Sequence, residues 1–356
     1  MKIILIVILM TCSVFASEEG NGKNAWNGWN DPFKMDKNFE TDFDKLPLSG
    51  NLEGEGLAWP GYYWANNRGG IAQRWRSSNP QDFKYSSPNQ SQILGLSKEQ
   101  INKLSPAEKF DLYMGDYSYP TVSRVWGQTR RGADAWHGIC HGVSPSSLNH
   151  SEPKTVTLYN PDGIEITFYS ADIKALLAYY YAKVSDSKTV QVGKRCFVGA
   201  RIPFLSSRSG CTDVNPGSLH IIMANRLGIS KKGFIADMDR YKQVWNHPAI
   251  EFSSRVLRTA NGDTRRSAYG TVKRVLVKSK VKYSATINPM ENFVIGTTDA
   301  KYDSRIYTYW LELDSSNRII GGEWVSDDRP DFLWYKEKAE FTGYWKGIEE
   351  IYQAQL

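Results

Sequence analysis

WHGICHG, residues 136–142, is the stretch from which we interpret this chain, because its centre is Cys140. The sequence has four cysteines. Cys12 lies in an N-terminal stretch that resembles a signal peptide, and Cys196 and Cys211 are close enough in sequence to predict a disulfide in an exported protein. Cys140 is therefore left without a predicted partner.

The unpaired thiol of Cys140 has two interpretations. A thiolate nucleophile is favoured by the flanking Gly138 and Gly142, which let the backbone bend and approach a substrate closely. The alternative is a buried structural cysteine, which is what most free cysteines are. If a helix follows, Pro145 predicts that it is capped by Ser144, which places the thiol just before the helix.

The N-terminus has the features of a secretory signal peptide. An apolar run from Ile3 to Met10 is followed by Val14 and Ala16 at the positions typical of a cleavage site, so we predict residues 1–16 as the signal peptide. Lipidation at Cys12 is a weaker alternative. The rest of the sequence has no long apolar run. The mature protein is expected to be secreted or periplasmic, in the cell envelope, with no transmembrane segment.

The composition is that of a folded protein, with 41% hydrophobic and 23% charged residues and a net charge of +6. No basic tail or nucleic-acid-binding motif is present, so a nucleic-acid partner is not expected. Residues 17–115 are predicted to form an irregular N-terminal region with short helices. This region is rich in aromatic residues, as in WPGYYW at 59–64, and it can cover the rest as a propeptide does. Residues 116–356 are predicted to form the catalytic domain.

The periodicity indicates an α+β fold with helices around an antiparallel sheet. Capping boxes at 97–100 and 105–108 predict short helices, and 155–169 predicts a β-hairpin. A helix is expected over 170–185 and another after Ser218. The strongest strand patterns are the stretches at 233–237, 271–287, 306–312 and 318–325.

A thiol nucleophile needs a base and a group that orients the base. The five histidines are His137, His141, His150, His220 and His247. We favour His220, because it precedes a strand that ends at Asp237, with Asp239 as the fallback acid. The order Cys, His, Asp is that of papain-like and transglutaminase-like enzymes, although an isolated histidine among apolar residues is more often structural. A metal site built from His137, Cys140 and His141 is a less favoured alternative, since its spacing matches no zinc pattern.

The stretch VWNHP at 244–248, shortly after the strand that ends at Asp237, resembles the Val-Trp-Asn-Gln-Pro motif of the transglutaminase elicitors. These are secreted, calcium-dependent transglutaminases of oomycete plant pathogens, with bacterial relatives. His247 stands where the family favours glutamine. The resemblance extends over most of the mature chain, including WPGYYW and WHGICHG. It implies a variant of the papain and transglutaminase-like fold, with Cys140 as nucleophile, His220 as base and Asp237 as orienting acid.

The function implied by this resemblance is a protein-glutamine γ-glutamyltransferase that forms isopeptide crosslinks. Its partners would be proteins with accessible glutamine and lysine, or small amines, and the protein is expected to be a monomer. We expect Trp136 and Trp245 to form the walls of the substrate site. The chemistry itself needs no cofactor, and calcium is implied only by the family. Alternatives are another thiol acyl hydrolase (a peptidase, amidase or glutamine deamidase) and a non-catalytic secreted protein that binds glycans or proteins.

Overall fold

A computed structural model of the chain describes residues 23–79, 83–195, 213–238 and 243–356. Several predictions fall outside these residues. They are the signal peptide at 1–16, the Cys196–Cys211 disulfide and the fallback acid Asp239. In the part of the chain that is described, no helix is long and apolar enough to cross a membrane.

The helices begin where the sequence provides capping groups. Ser97 and Ser105 each accept a hydrogen bond from the backbone N–H three residues later, and the side chains of Gln100 and Glu108 complete both predicted capping boxes. The α-helices are α1 (Gln90–Leu94), α2 (Lys98–Ile101), α3 (Pro106–Tyr113), α4 (Pro120–Gln128), α5 (Cys140–Asn149), α6 (Ser170–Lys183), α7 (Pro216–Met223) and α8 (Lys346–Gln353). A π-helical segment, Ala224–Ile229, continues α7, and 3-10 turns lie at Pro32–Lys34, Gly54–Gly56, Asn66–Arg68, Gly70–Ala72 and Gly343–Trp345.

The strands form one large antiparallel sheet and a separate hairpin. They are β1 (Ser49–Asn51), β2 (Val156–Tyr159), β3 (Glu165–Phe168), β4 (Thr189–Gly193), β5 (Phe234–Asp237), β6 (Asn246–Asn261), β7 (Lys273–Ser284), β8 (Tyr302–Leu313), β9 (Ile319–Trp324) and β10 (Phe332–Lys336). The order in the sheet is β4-β10-β5-β6-β7-β8-β9, and β1 pairs with β6. β2 and β3 form the predicted hairpin. The α+β prediction with an antiparallel sheet is confirmed.

The apolar side chains pack into two clusters. Helices α3 and α6 surround the first, which also takes in Trp59 and Trp64, each only 1% exposed, from the aromatic N-terminal region. The second cluster lies between α7 and the inward-facing residues of the sheet, among them Val277 on β7. Helix α5 packs against α6 and also contacts the start of β6, so it connects the helical part of the fold to the sheet.

Helix α5 begins at Cys140, five residues before the predicted first helical position at Pro145, which lies inside the helix. Pro145 lacks the N–H that would donate to the carbonyl of His141, and this loss had favoured a later start. Ser144 is not a cap, because its hydroxyl donates to the carbonyl oxygen of Asn246 at 2.7 Å and so links α5 to β6. The thiol therefore lies on the first residue of the helix rather than before it.

Candidate functional site

The two glycines beside Cys140 allow close approach between chain segments rather than to a substrate. A Cβ on Gly138 would lie 2.3 Å from the carbonyl oxygen of Tyr63, and one on Gly142 would lie 2.0 Å from that of Ala178. The Tyr63 carbonyl also accepts the N–H of Ile139 at 2.7 Å. These contacts fix the chain on both sides of Cys140, so the position of the sulfur is set by packing.

The side chain of Asn246 contacts the sulfur of Cys140. Asn246 Nδ2 lies 3.5 Å from Sγ, and Asn246 Oδ1 accepts a hydrogen bond from the indole N–H of Trp334 at 2.8 Å. Because an indole N–H can only donate, it determines which end of the amide is the oxygen, and the NH₂ end is turned towards the sulfur. Asn246 is 8% exposed and Cys140 is also 8% exposed, so this contact is shielded from water.

Asp237 ends β5 directly opposite Asn246, its register partner at the start of β6. Since paired residues on adjacent antiparallel strands project to the same side of the sheet, Asp237 and Asn246 share one face. Asp237 Oδ1 accepts the backbone N–H of Trp245 at 3.0 Å, and the carboxylate is 1% exposed. Its negative charge acts on the Cys140 thiol and raises the pKa of that thiol.

Burial is the largest influence on the thiol and raises the pKa of Cys140 above its usual value. Hydrogen bonds from the side chain and backbone of Asn246 and from the backbone of His141 lower this pKa, while Asp237 raises it. The thiolate is further favoured by its place at the N-terminus of α5, where the helix dipole is positive. The site thus holds a neutral thiol at rest beside groups able to stabilise its anion.

The raised pKa predicts how Cys140 reacts with iodoacetamide. Only the thiolate reacts, so the rate of alkylation should rise about tenfold per pH unit through the neutral range, as the thiolate fraction does below the pKa. Mass spectrometry of the peptide that contains Cys140 measures this rate, and the same protein unfolded in guanidinium is the control, which should react faster at pH 7. A rate independent of pH between about pH 6 and 8 would instead mean a thiolate already formed.

The structure does not bring His220 to Cys140. The ring is fully buried on α7, its Nδ1 lies 2.9 Å from the hydroxyl of Tyr309 on β8, and it packs against Phe43. None of these contacts is with Cys140 or Asp237, and burial alone lowers the pKa of His220 to about 4. Helix α7 packs on β8 and β9, whereas α5, which carries Cys140, contacts β5 and β6. The expected pairing of His220 with Asp237 is therefore absent.

Of the other histidines, His247 lines the same small cavity as Cys140 and Asn246. The cavity has a volume of about 10 Å³, enough for roughly one water molecule. His247 Nδ1 lies 2.8 Å from the carbonyl oxygen of Ser284, which can only accept, so Nδ1 carries the proton. His247 pairs with Ala236, so its side chain leaves the opposite face of the strand from that of Asn246.

Trp136 and Trp245 line the same surface depression, which we call the aromatic cleft. It has a volume of about 590 Å³ and is lined by Tyr63, Asp134, Ala135, Trp136, Gln243 and Trp245. Tyr63 also lines the small cavity at Cys140. The two tryptophans named from the sequence are thus together, next to the thiol.

A second depression adjoins the thiol on the side of Asn246, and we call it the basic cavity. Its volume is about 330 Å³, and its lining includes His141, Tyr181, Thr189, Gln191, Asn246, Trp334 and Lys336. Lys336 Nζ donates to the carbonyl oxygens of Tyr181 and Ser185. Burial and the positive charges of Lys183 and Lys336 lower the pKa of His141 to about 4. His141 is therefore neutral at neutral pH, and Lys336 supplies the positive charge of this cavity.

In the described ranges, no group of three or more His, Cys, Asp or Glu side chains is arranged to hold a metal ion. The metal alternative built on His137 is not favoured either, because that ring packs against Trp136 with 4.0 Å between the ring centroids.

Asn246 and Trp334 are the two site residues that sequence reasoning did not assign. Asn246 stands in the VWNHP stretch that carried the resemblance, shortly after the predicted acid strand, and this is the signal that could have found it. Trp334 lies in an apolar strand, FLWYK, where a tryptophan is indistinguishable from a core residue. Its role follows only from the pairing of β10 with β5.

Comparison with known proteins gives the context of this site. A model of the transglutaminase elicitor family matches residues 122–342, which include Cys140, Asp237, Asn246 and Trp334. No curated protein sequence matches. Among solved structures, the chain is similar to the GP42 transglutaminase from Phytophthora sojae, with 23% sequence identity and a TM-score of 0.69. The similarity covers 92% of this chain and 98% of that one, so the overall fold is shared.

Proposed function

This chain belongs to the transglutaminase elicitor family, and from that premise we propose that it is a transglutaminase that joins glutamine side chains to amines through a thioester on Cys140. The observation that carries the proposal is the contact between Asn246 Nδ2 and Cys140 Sγ, held in place by Trp334. A structural cysteine has no need of an amide donor fixed towards its sulfur beside a buried carboxylate. A cysteine that must form a thiolate during a reaction needs both a donor that stabilises the anion and a group that accepts the proton.

In the first step the sulfur attacks the carboxamide carbon of a glutamine. The thiol proton passes to Asp237, a carbon–sulfur bond forms, and the proton is then given to the departing nitrogen, which leaves as ammonia. The N–H groups at the start of α5 and the Asn246 amide stabilise the negative charge on sulfur and on the carbonyl oxygen. The cavity at Cys140 is smaller than a carboxamide, so lining side chains must move when the substrate enters.

In the second step an amine attacks the thioester. The carbon–nitrogen bond forms, the carbon–sulfur bond breaks, and one proton of the amine moves through Asp237 to the departing thiolate. Water in place of the amine gives glutamate, which is deamidation. The aromatic rings of Trp136 and Trp245 reduce access of water from the aromatic cleft and so favour the amine.

The base in this proposal is Asp237 rather than His220. Asp237 shares a face with Asn246 and exerts its charge on the thiol, whereas His220 contacts Tyr309 and Phe43. His247 lines the same cavity as Cys140 and is the second candidate. Its Nδ1 donates to Ser284, so its Nε2 is the nitrogen with the lone pair in the neutral ring.

The test of the function is the incorporation of a fluorescent primary amine into casein, with ammonia release measured in parallel. We expect both signals from the mature protein, and the comparison with and without calcium reports whether the ion is required. Ammonia release without amine incorporation would identify a glutamine deamidase. With neither signal from folded protein, the enzymatic proposal fails and a binding protein is favoured.

Export is part of the same proposal, because the family includes secreted proteins and residues 1–16 have the pattern of a signal peptide. Protein substrates would then be met outside the cytoplasm. The mass of the protein isolated from the medium or cell envelope is expected to lack these residues. A mass that still includes them contradicts the predicted cleavage after Ala16.

A further inference from the structure

Two depressions of opposite character flank the thiol. The small cavity at Cys140 shares Tyr63 with the aromatic cleft and Asn246 with the basic cavity. A transamidation needs two substrates at one sulfur in succession, and each depression is large enough for a side chain. Their charges differ, so they are not equivalent as substrate sites.

The aromatic cleft has the features of a site for a cation. Asp134 is the one charged residue among the described residues that line it, and its side chain is exposed. The rings of Tyr63 and Trp245 pack edge to face with centroids 5.4 Å apart, and Trp136 adds a third ring. Aromatic faces together with a carboxylate attract an ammonium group.

The basic cavity has the opposite preference. Its lining, among the residues that the structure describes, carries the ammonium of Lys336 and no carboxylate, so a second ammonium would be repelled. The polar groups of Thr189 and Gln191 can bond a neutral amide instead. On charge alone, a cationic acyl acceptor is directed away from this cavity and towards the aromatic cleft.

The chain geometry connects the aromatic cleft to the reacting sulfur. The carbonyl of Val244, directly before Trp245, lies 3.9 Å from Cys140 Sγ. On the other wall, the short segment from Asp134 to Cys140 begins in the cleft and ends at α5, with the Tyr63 hydroxyl donating to Ala135 O at 2.7 Å. An amine on a side chain as long as lysine can therefore lie in the cleft with its nitrogen directed to the thioester.

We propose that the aromatic cleft is the acceptor site of this enzyme and takes cationic primary amines, above all the lysine side chain, through Asp134, Trp136 and Trp245. The inference rests on the proposed transglutaminase function. The bound ammonium loses one proton to solvent before it attacks. Of the two that remain, one stays on the isopeptide nitrogen and the other goes to the departing thiolate.

The test compares Asp134→Asn and Trp136→Leu with the unmodified enzyme in steady-state assays with a fluorescent cadaverine. We expect the KM for this cation to rise about tenfold in each variant, since each loses one attractive interaction with the ammonium. The KM for the glutamine donor should stay unchanged in both variants. The rate of donor hydrolysis in the absence of amine should stay unchanged in Asp134→Asn and rise in Trp136→Leu, because the ring of Trp136 restricts access of water. Hydroxylamine, which is neutral at pH 7, should retain its KM in Asp134→Asn.

Asp263→Asn is the matched control, because it removes the same charge from an exposed position in the loop between β6 and β7. It is expected to leave the KM for cadaverine unchanged. If Asp134→Asn also leaves that KM unchanged in an enzyme that incorporates amine, the acceptor site is elsewhere and the inference is overturned. If the unmodified protein incorporates no amine, the proposed function itself is overturned. This outcome is distinguishable from a failure of the acceptor-site inference alone, in which the unmodified protein is active.

Discussion

Replacement of Cys140 by alanine is expected to lower amine incorporation and ammonia release by on the order of 10³-fold or more, because no other group can form the thioester. The fold should survive. Cys140 is a small buried residue whose sulfur makes only weak hydrogen bonds, to Asn246 and Val244, so the melting temperature should change by only a few degrees. Activity measured by fluorescent amine incorporation and stability measured by thermal unfolding separate the two effects.

Ser146→Ala is the matched control for this change. Ser146 lies on the same helix, is buried, and its hydroxyl donates to the carbonyl of Val143 at 2.9 Å. It should lose about 1 kcal/mol of unfolding free energy at most and keep its activity. Substantial activity in Cys140→Ala would overturn the enzymatic proposal, whereas equal losses in both variants would indicate damage to α5 rather than loss of a nucleophile.

Local patterns in the sequence predicted the local parts of this fold correctly. The two capping boxes, the β2–β3 hairpin and the strand that ends at Asp237 each depend on residues close together in sequence, and the structure contains all of them. Cys140 was also selected from the sequence alone, by counting cysteines, and its role as the nucleophile stays a prediction. The local elements can be predicted without knowing which distant residues pack against them.

The elements that the sequence did not predict depend on contacts between distant residues. β6 contains Pro248, which argues against a strand, and its second half alternates poorly because much of it is exposed. Its pairing with both β5 and β7 nevertheless makes it a central strand of the site. Helix α5 includes Pro145 because its packing on α6 and the bond from Ser144 to Asn246 outweigh one missing hydrogen bond.

The choice of base shows the same limit. All residues of α7 are buried, so no amphipathic pattern indicates which side of the helix meets which part of the sheet. The chain order and the family resemblance favoured His220 as the base. The position of His220 around the helix axis instead directs its ring to Tyr309. Asn246 and Trp334 come from different strands that meet only in the folded sheet, with β5 between them. Such a constellation is visible in three dimensions alone.

The second large effect is expected from Asp237→Asn, and it has two parts of opposite sign. The removal of a negative charge near the sulfur makes the thiolate less unfavourable, so the pKa of Cys140 should fall and alkylation at pH 7 should become faster. Amine incorporation should nevertheless fall by about 10²-fold to 10⁴-fold, because the amide of asparagine does not accept and return a proton. The fold should persist, since asparagine Oδ1 can still accept the N–H of Trp245.

A faster-alkylating, inactive enzyme with an unchanged melting temperature is the result that separates a proton-transfer role from structural damage. Unfolding also exposes the thiol and speeds alkylation, but it lowers the melting temperature. His220→Gln is the control, because glutamine can still bond to Tyr309 and the ring contacts neither Cys140 nor Asp237. It should keep most of its activity even if its melting temperature falls. If His220→Gln abolishes activity while Asp237→Asn does not, the histidine is the base after all, and it must reach the thiol in a conformation different from this one. If neither change matters, His247→Gln is the next variant to measure, since His247 is the histidine that shares a cavity with the thiol.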